Sequence, residues 1–199
     1  MEREGFALAG LWANCFWISS LILLVSGYGR FFWSQARFRA AGVAMAGALV
    51  MAFDLLLPQV PLMSGTVNGG LAFLALATLA LGIARRKPVW WLWWLSLGAI
   101  AALGRILAPL APHRAQWVMP LVPESIVLGI AAGVLGEEPV GGMVVGIGAD
   151  VLASMWILVV RGGPLALGYH DLTSALLAGL AGWAAGWMRF HWGRHDMVA

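Results

Sequence analysis

Charged residues are scarce in this chain. Only 11% of its 199 residues are Asp, Glu, Lys or Arg, and 61% are hydrophobic, whereas soluble domains carry about 25% charged and about 45–50% apolar residues. A short chain exposes much of its surface, so a water-soluble fold of this length cannot hide so much apolar area. The composition therefore argues against an ordinary soluble domain and predicts a protein covered by lipid.

Cysteine and several catalytic motifs are also missing. Cys15 is the single cysteine, so no intramolecular disulfide can form. The sequence has no His-Glu-x-x-His zinc motif and no Gly-x-x-x-x-Gly-Lys-Ser/Thr phosphate loop. Glu137-Glu138 lacks the arginine four residues later that a CAAX-processing protease would show. We therefore predict no catalytic residue, no metal site and no cofactor.

Apolar residues occur in seven blocks of helical length. A transmembrane helix needs roughly 17–25 mostly apolar residues, and blocks without period-2 alternation favour helices over β-strands. We predict an all-α, polytopic transmembrane helix bundle that forms one integral membrane domain over residues 1–199. Its fifth span has two candidate starts, Trp117 and Pro123, because prolines interrupt its beginning. The predicted spans are 6–27, 40–57, 67–84, 89–110, 117–135, 140–160 and 172–188.

Basic residues predict the orientation of the bundle. Three follow the first span, none follows the second and three follow the third; they are Arg30, Arg37, Arg39, Arg85, Arg86 and Lys87. Positive residues favour the cytoplasmic side. We therefore expect a bacterial cytoplasmic (inner) membrane protein with its N-terminus outside and its C-terminus in the cytoplasm. The same clustering makes the net charge of +3 a topology signal, and we predict no nucleic-acid partner.

Six ionisable residues are candidates for a functional site. A charge at the centre of a membrane helix costs about 2.5–3.5 kcal/mol on insertion scales, so each needs a partner or a purpose. The most deeply placed is Asp150, about 15 Å from each membrane boundary at 1.5 Å per residue. We predict a polar pocket open to the outside, with Asp150 at its floor. The candidate binding residues are Asp150, Arg105, Glu124, Asp54, His170 and Asp171.

Each candidate also has a purely local explanation. Glu124 follows a proline and suits the first turn of a helix, where a carboxylate complements the helix dipole. Asp171 suits an N-cap, and Arg105 has a stem long enough to reach the outer headgroups. Asp54 is a candidate partner of Arg105, and Asp150 a candidate for a hydrogen bond between helices. The residues alone leave both interpretations open.

Small residues at helical spacing mark the last three spans. Steps of four residues keep them on one helix face, and small faces let membrane helices approach closely. We expect spans five to seven to form the tightest part of the fold, and the same faces are a candidate interface for a homo-oligomer or a membrane partner. The residues are Ser125, Gly129, Gly133, Gly142, Gly146, Ser154, Ala178, Gly182 and Gly186.

The layout resembles the YphA family of small membrane proteins from spore-forming Firmicutes. The resemblance lies in the length, the seven spans, and Asp150 in the penultimate span followed by a Gly-Pro loop and Asp171. It implies a bacterial cytoplasmic membrane and supplies no mechanism. From the residues we favour a non-enzymatic structural or partner-binding role. The alternatives are a small-solute or proton-coupled transporter, or its membrane-embedded substrate-binding component, and then an intramembrane enzyme using Glu124 or Asp150.

Overall fold

Six helices and three short strands make up the described part of the computed structural model, which covers residues 40–57, 59–62, 65–107, 124–161 and 165–195. This mainly helical architecture confirms the all-α class. The strands were not predicted. The elements are α1 (Ala40–Leu56), β1 (Val60–Leu62), β2 (Gly65–Val67), α2 (Gly69–Arg85), α3 (Pro88–Leu107), α4 (Glu124–Leu135), α5 (Pro139–Arg161), β3 (Leu165–Leu167) and α6 (Tyr169–His195).

The helices overlap spans two to seven of the prediction, one helix to a span. Two of them, over Pro88–Leu107 and Pro139–Val160, are long and apolar enough to cross a membrane, by length and composition; Met45–Leu56, α2 and α4 are apolar but shorter. The described residues thus contain two helices that are both long and apolar enough to cross a membrane, whereas seven spans were predicted. The first predicted span, 6–27, residues 108–110 of the fourth and residues 117–123 of the fifth lie outside the described residues. The helix of the fifth span begins at Glu124, directly after Pro123.

The described residues fall into two compact units. The first holds those up to Leu74 together with Ala166–Thr173, and the second holds Ala75–Leu165 together with those from Ser174 onward. In the first unit β1 pairs antiparallel with β2, with Val60 opposite Val67. The strand order is β1-β2-β3, which leaves Pro61 on an edge strand where its missing N–H costs no ladder bond.

Close contacts between backbones organise the second unit. Along α3 and α5, contacts advance in the same direction: Trp90 lies against Gly141, and Gly98 lies 3.2 Å, measured from an ideal Cβ, from the carbonyl oxygen of Ala149. These two helices therefore run parallel. The indole Nε1 of Trp94 donates a hydrogen bond of 2.8 Å to the carbonyl oxygen of Val144, which fixes their register.

Helices α4, α5 and α6 pack through small residues, as predicted. A Cβ on Gly133 would lie 2.6 Å from the Cβ of Ala185, and one on Gly146 would lie 2.6 Å from the carbonyl oxygen of Ala178. Gly142 faces the backbone of Gly182 still more closely. Contacts of this kind exclude larger side chains and raise van der Waals contact between helices. The contacts make α6 antiparallel to α5 and parallel to α4.

Two turns at one end of the second unit share one design. The α2–α3 turn has Arg86 at φ 49° and the α4–α5 turn has Glu137 at φ 62°. In both, a charged residue follows and a proline opens the next helix, where its missing N–H is harmless. Lys87 Nζ lies 3.6 Å from Glu137 Oε2, so an ion pair connects the turns.

The surface is apolar and the interior holds polar side chains. Ile100, Leu103 and Val159 are 64%, 57% and 77% exposed. The buried side chains include polar and charged ones: Asp54, Asn68, Thr78, Ser125, Asp150 and Ser154. A soluble protein avoids contiguous apolar surface and rarely buries carboxylates. Among the described residues, large apolar side chains are thus exposed while several polar side chains are buried.

Candidate functional site

Arg105 is the centre of a polar cluster built from four helices of the second unit, which we call the Arg105 cluster. Arg105 stands in the last turn of α3, and Glu124 is the first residue of α4. Asp150 and Ser154 lie one turn apart on α5, and therefore on one face. Ser174 of α6 completes the set. The sequence predicted the depth of the three charged members, and the structure brings them together.

The guanidinium of Arg105 donates hydrogen bonds in three directions. Its Nε donates to Glu124 Oε1 at 3.1 Å, its Nη1 to Ser154 Oγ at 2.9 Å, and its Nη2 to Asp150 Oδ1 at 2.5 Å. The hydroxyl of Ser174 also donates to Asp150 Oδ1, at 3.0 Å. Because the guanidinium is planar and rigid, these bonds fix the positions of α3, α4 and α5 relative to one another.

Burial divides the cluster into an inner ion pair and an outer carboxylate. The side chain of Asp150 is 1% exposed, that of Arg105 20% and that of Glu124 40%. Two carboxylates and one guanidinium carry a formal charge of −1. The inner pair of Asp150 and Arg105 is neutral as a whole, which lowers the cost of placing it away from water. Glu124 adds a partner at the rim, and at the first position of α4 it also complements the helix dipole.

The other three predicted site residues, Asp54, His170 and Asp171, belong to the first unit. The two carboxylates have hydrogen-bond partners within that unit. Asp54, 2% exposed, accepts a hydrogen bond of 2.7 Å from the side-chain Nδ2 of Asn68. Asp171 Oδ2 accepts from the backbone N–H of Gly168 at 2.9 Å. Helix α6 begins at Tyr169, so Asp171 is its third residue and the expectation of an N-cap was wrong. The side chain of His170 is exposed.

Asn68 is a structural residue that the sequence analysis missed. Its side-chain Oδ1 accepts from the N–H of Leu71 at 3.1 Å, which caps α2. Its backbone N–H donates to the carbonyl oxygen of Leu167, and its amide holds Asp54. Asn before Gly-Gly and an apolar run is a recognisable start signal for a helix. That signal was available in the sequence.

We expect Asn68→Ala to lower the free energy of unfolding by about 2–3 kcal/mol. Loss of the cap costs about 1 kcal/mol, and removing a donor from a buried polar group costs about 1–3 kcal/mol. Thermal unfolding of the purified protein in detergent, followed by circular dichroism, measures the change. Asn68→Ser is the matched control, because it keeps a capping oxygen and loses the amide, and it should fall between. Equal stability of Asn68→Ala and wild type would show that the hydrogen bonds of Asn68 contribute nothing.

Neither a metal site nor a comparison with known proteins identifies the chemistry of the site. Among the residues that the structure describes, no group of three or more His, Cys, Asp or Glu side chains is placed to hold a metal ion. No protein-family model, curated protein or solved structure matches this chain. The chemistry of the Arg105 cluster therefore has to be interpreted from its own geometry.

Proposed function

We propose that this chain is an integral protein of a bacterial cytoplasmic membrane, a seven-span helix bundle with its N-terminus outside. Its apolar exposed surface supports this proposal, because water would not tolerate it. So do the two helices of spanning length and the overlap of the remaining described helices with predicted spans. The resemblance to the YphA family is part of the same proposal and agrees with this location.

The charges at the two ends of the second unit support the proposed sidedness. The ion pair between Lys87 and Glu137 joins the two tight turns. Arg189 Nη1 donates to the carbonyl oxygen of Val134, the second-last residue of α4 at that end. The Arg105 cluster lies toward the opposite end of α3. Since basic residues favour the cytoplasm, the end with the turns is cytoplasmic and the cluster is in the outer half.

The role we propose for the chain is non-enzymatic, as a structural or partner-binding membrane protein. The observation that carries it is the engagement of the Arg105 guanidinium by Glu124, Ser154 and Asp150 of the same chain. A guanidinium that donates hydrogen bonds to side chains of several helices holds those helices together. The bundle then presents a fixed outer surface to lipid or to a partner, and the small-residue faces remain the proposed interface for a further copy or another membrane protein.

A transporter of a small solute or of protons is the second candidate. The observation that favours it is the excess carboxylate, since Glu124 is 40% exposed while the inner pair is neutral. A proton or a cationic solute that enters from outside would balance this charge. This proposal requires a ligand whose binding depends on Asp150 or Glu124.

We expect cysteines on opposite sides to label differently in intact cells. In a Cys15→Ser background, Gln59→Cys should react with a membrane-impermeant maleimide, and Arg86→Cys should react only after the cells are lysed. Both native side chains are exposed, so burial does not protect either cysteine. Labelling of Arg86→Cys alone in intact cells would invert the proposed topology. Equal labelling of both would contradict a membrane between them.

A thermal-shift screen separates the structural role from transport. The detergent-purified protein is heated with ions, amino acids, vitamins and lipids, beside Asp150→Asn and Glu124→Gln. A ligand that binds the folded state raises the melting temperature by mass action. We expect no soluble ligand to do so. A shift in the wild type that either variant abolishes would contradict the structural role and establish a binding site in the Arg105 cluster.

A further inference from the structure

Arg86 occupies a backbone position that normally belongs to glycine. Its φ of 49° places it in the left-handed region just after α2, where a helix commonly ends on glycine because a Cβ is disfavoured there. Its backbone N–H closes the turn by donating to the carbonyl oxygen of Ile83 at 3.1 Å. A long cationic side chain is thus kept at a conformation that costs stability.

The guanidinium of Arg86 is available to an external group. The side chain is exposed, and among the described residues it has no ion-pair or hydrogen-bond partner. Other described cations near this end have partners: Lys87 pairs with Glu137, Arg189 donates to a backbone carbonyl of α4, and Arg85 also has an interaction partner. Among the described residues at this end, Arg86 is therefore a cation that is available to an external anion.

Exposed apolar side chains lie on both helices that flank the turn. Ile83, three residues before Arg86, is 61% exposed, and Val89 and Leu92 on the other side are 41% and 59% exposed. The turn therefore places a cation beside apolar surface. A soluble anion would contact only the cation. A phospholipid can contact both, because its headgroup is anionic and its acyl chains are apolar.

We propose that the α2–α3 turn binds the phosphodiester headgroup of an anionic phospholipid on Arg86, with an acyl chain against Ile83, Val89 and Leu92. Arginine suits this ligand because its planar donors match two phosphate oxygens. Under the proposed topology the turn faces the cytoplasmic leaflet, where anionic lipids create a negative surface potential. This proposal rests on the membrane location proposed above and adds a specific lipid class and site.

The test is a lipid titration of the purified protein in detergent micelles. Phosphatidylglycerol should raise the melting temperature more than phosphatidylcholine does. Arg86→Gln should lower the apparent affinity for phosphatidylglycerol, taken from the titration, about fivefold. This is the loss expected for one basic residue near an anionic surface. Arg86→Lys keeps the charge and loses the planar pair of donors, so it should fall between Arg86→Gln and the wild type. In phosphatidylcholine alone the variants should melt like the wild type, because the side chain of Arg86 makes no internal contact.

Arg189→Gln is the matched control, because it removes a positive charge from the same end of the second unit. A specific site on Arg86 predicts that this variant keeps the preference for phosphatidylglycerol. Equal losses in Arg189→Gln and Arg86→Gln would overturn the proposal in favour of a diffuse positive field. An equal shift with inorganic phosphate would overturn the assignment to a lipid. Flotation with phosphatidylcholine vesicles tests the membrane location separately, so its failure is distinguishable from failure of the lipid site.

Discussion

Gly142→Ala is expected to lower the free energy of unfolding by about 3 kcal/mol, the upper end of the usual cost of overpacking. A Cβ at this position would lie 2.8 Å from the Cα of Gly133, and closer still to the carbonyl oxygen of Gly182. These neighbours are backbone atoms of α4 and α6, and they cannot rotate away as a side chain would. Three helices would have to separate to admit one methyl group. Unfolding in mixed micelles with increasing dodecyl sulfate measures the effect.

Gly104→Ala is the matched control for that result. Nothing lies within 4 Å of an ideal Cβ at Gly104, a glycine that is also helical and lies near the C-terminal end of α3. Alanine has a higher helix propensity than glycine by about 1 kcal/mol, so Gly104→Ala should be neutral or slightly stabilising. If both variants lost stability equally, the cost would belong to glycine replacement in general and not to the close contact of α4, α5 and α6.

Asp150→Ala should destabilise the bundle by about 3–5 kcal/mol, the usual cost of leaving one member of a buried ion pair alone. Arg105 would then keep Glu124 and Ser154 and lose the partner at 2.5 Å. The oxygen that Ser174 donates to would also disappear. The melting temperature and the yield of folded protein in detergent both report this loss.

The double substitution Asp150→Ala with Arg105→Met shows whether the loss comes from the pair itself. Replacing a whole buried ion pair by apolar residues is often neutral, so the double variant should recover most of the stability that Asp150→Ala loses. A double-mutant cycle isolates the coupling. Additive losses, with no recovery, would mean that Asp150 and Arg105 act independently, and the inner pair would then not hold α3 against α5.

Helix positions were the part of the fold that the sequence could predict. Apolar blocks of helical length carry a strong signal, and helices α1 to α6 overlap the predicted spans. The strands could not be predicted, because three residues are too few to show an alternating pattern. Val60–Leu62 pairs through its backbone, and backbone pairing leaves no trace in side-chain composition. The third position of Asp171 was missed for a related reason, since helix ends shift by one or two residues.

The sequence could predict how far each candidate residue lies from the end of its span. It could not predict which side chains pair with one another. Counting residues along a predicted span gives only the distance of Arg105, Glu124 and Asp150 from the ends of that span. It does not give the angle at which each helix faces its neighbours. Asp54 was therefore grouped with residues predicted on the same side, whereas its hydrogen bond comes from Asn68. The choice between a pocket and a structural cluster depends on atomic distances, which no periodicity contains.

The ion pair between the two tight turns explains why the α4–α5 turn has no basic residue of its own. Because α3 and α5 run parallel, the turns that precede them lie side by side, and Lys87 reaches Glu137. Two turns of the same sign at this distance would repel each other. An acidic Glu137-Glu138 turn is thus the electrostatic counterpart of a basic neighbour. When basic residues are counted loop by loop, the α4–α5 turn contributes none to the prediction of orientation. Its negative charge instead complements the positive charge of the neighbouring turn.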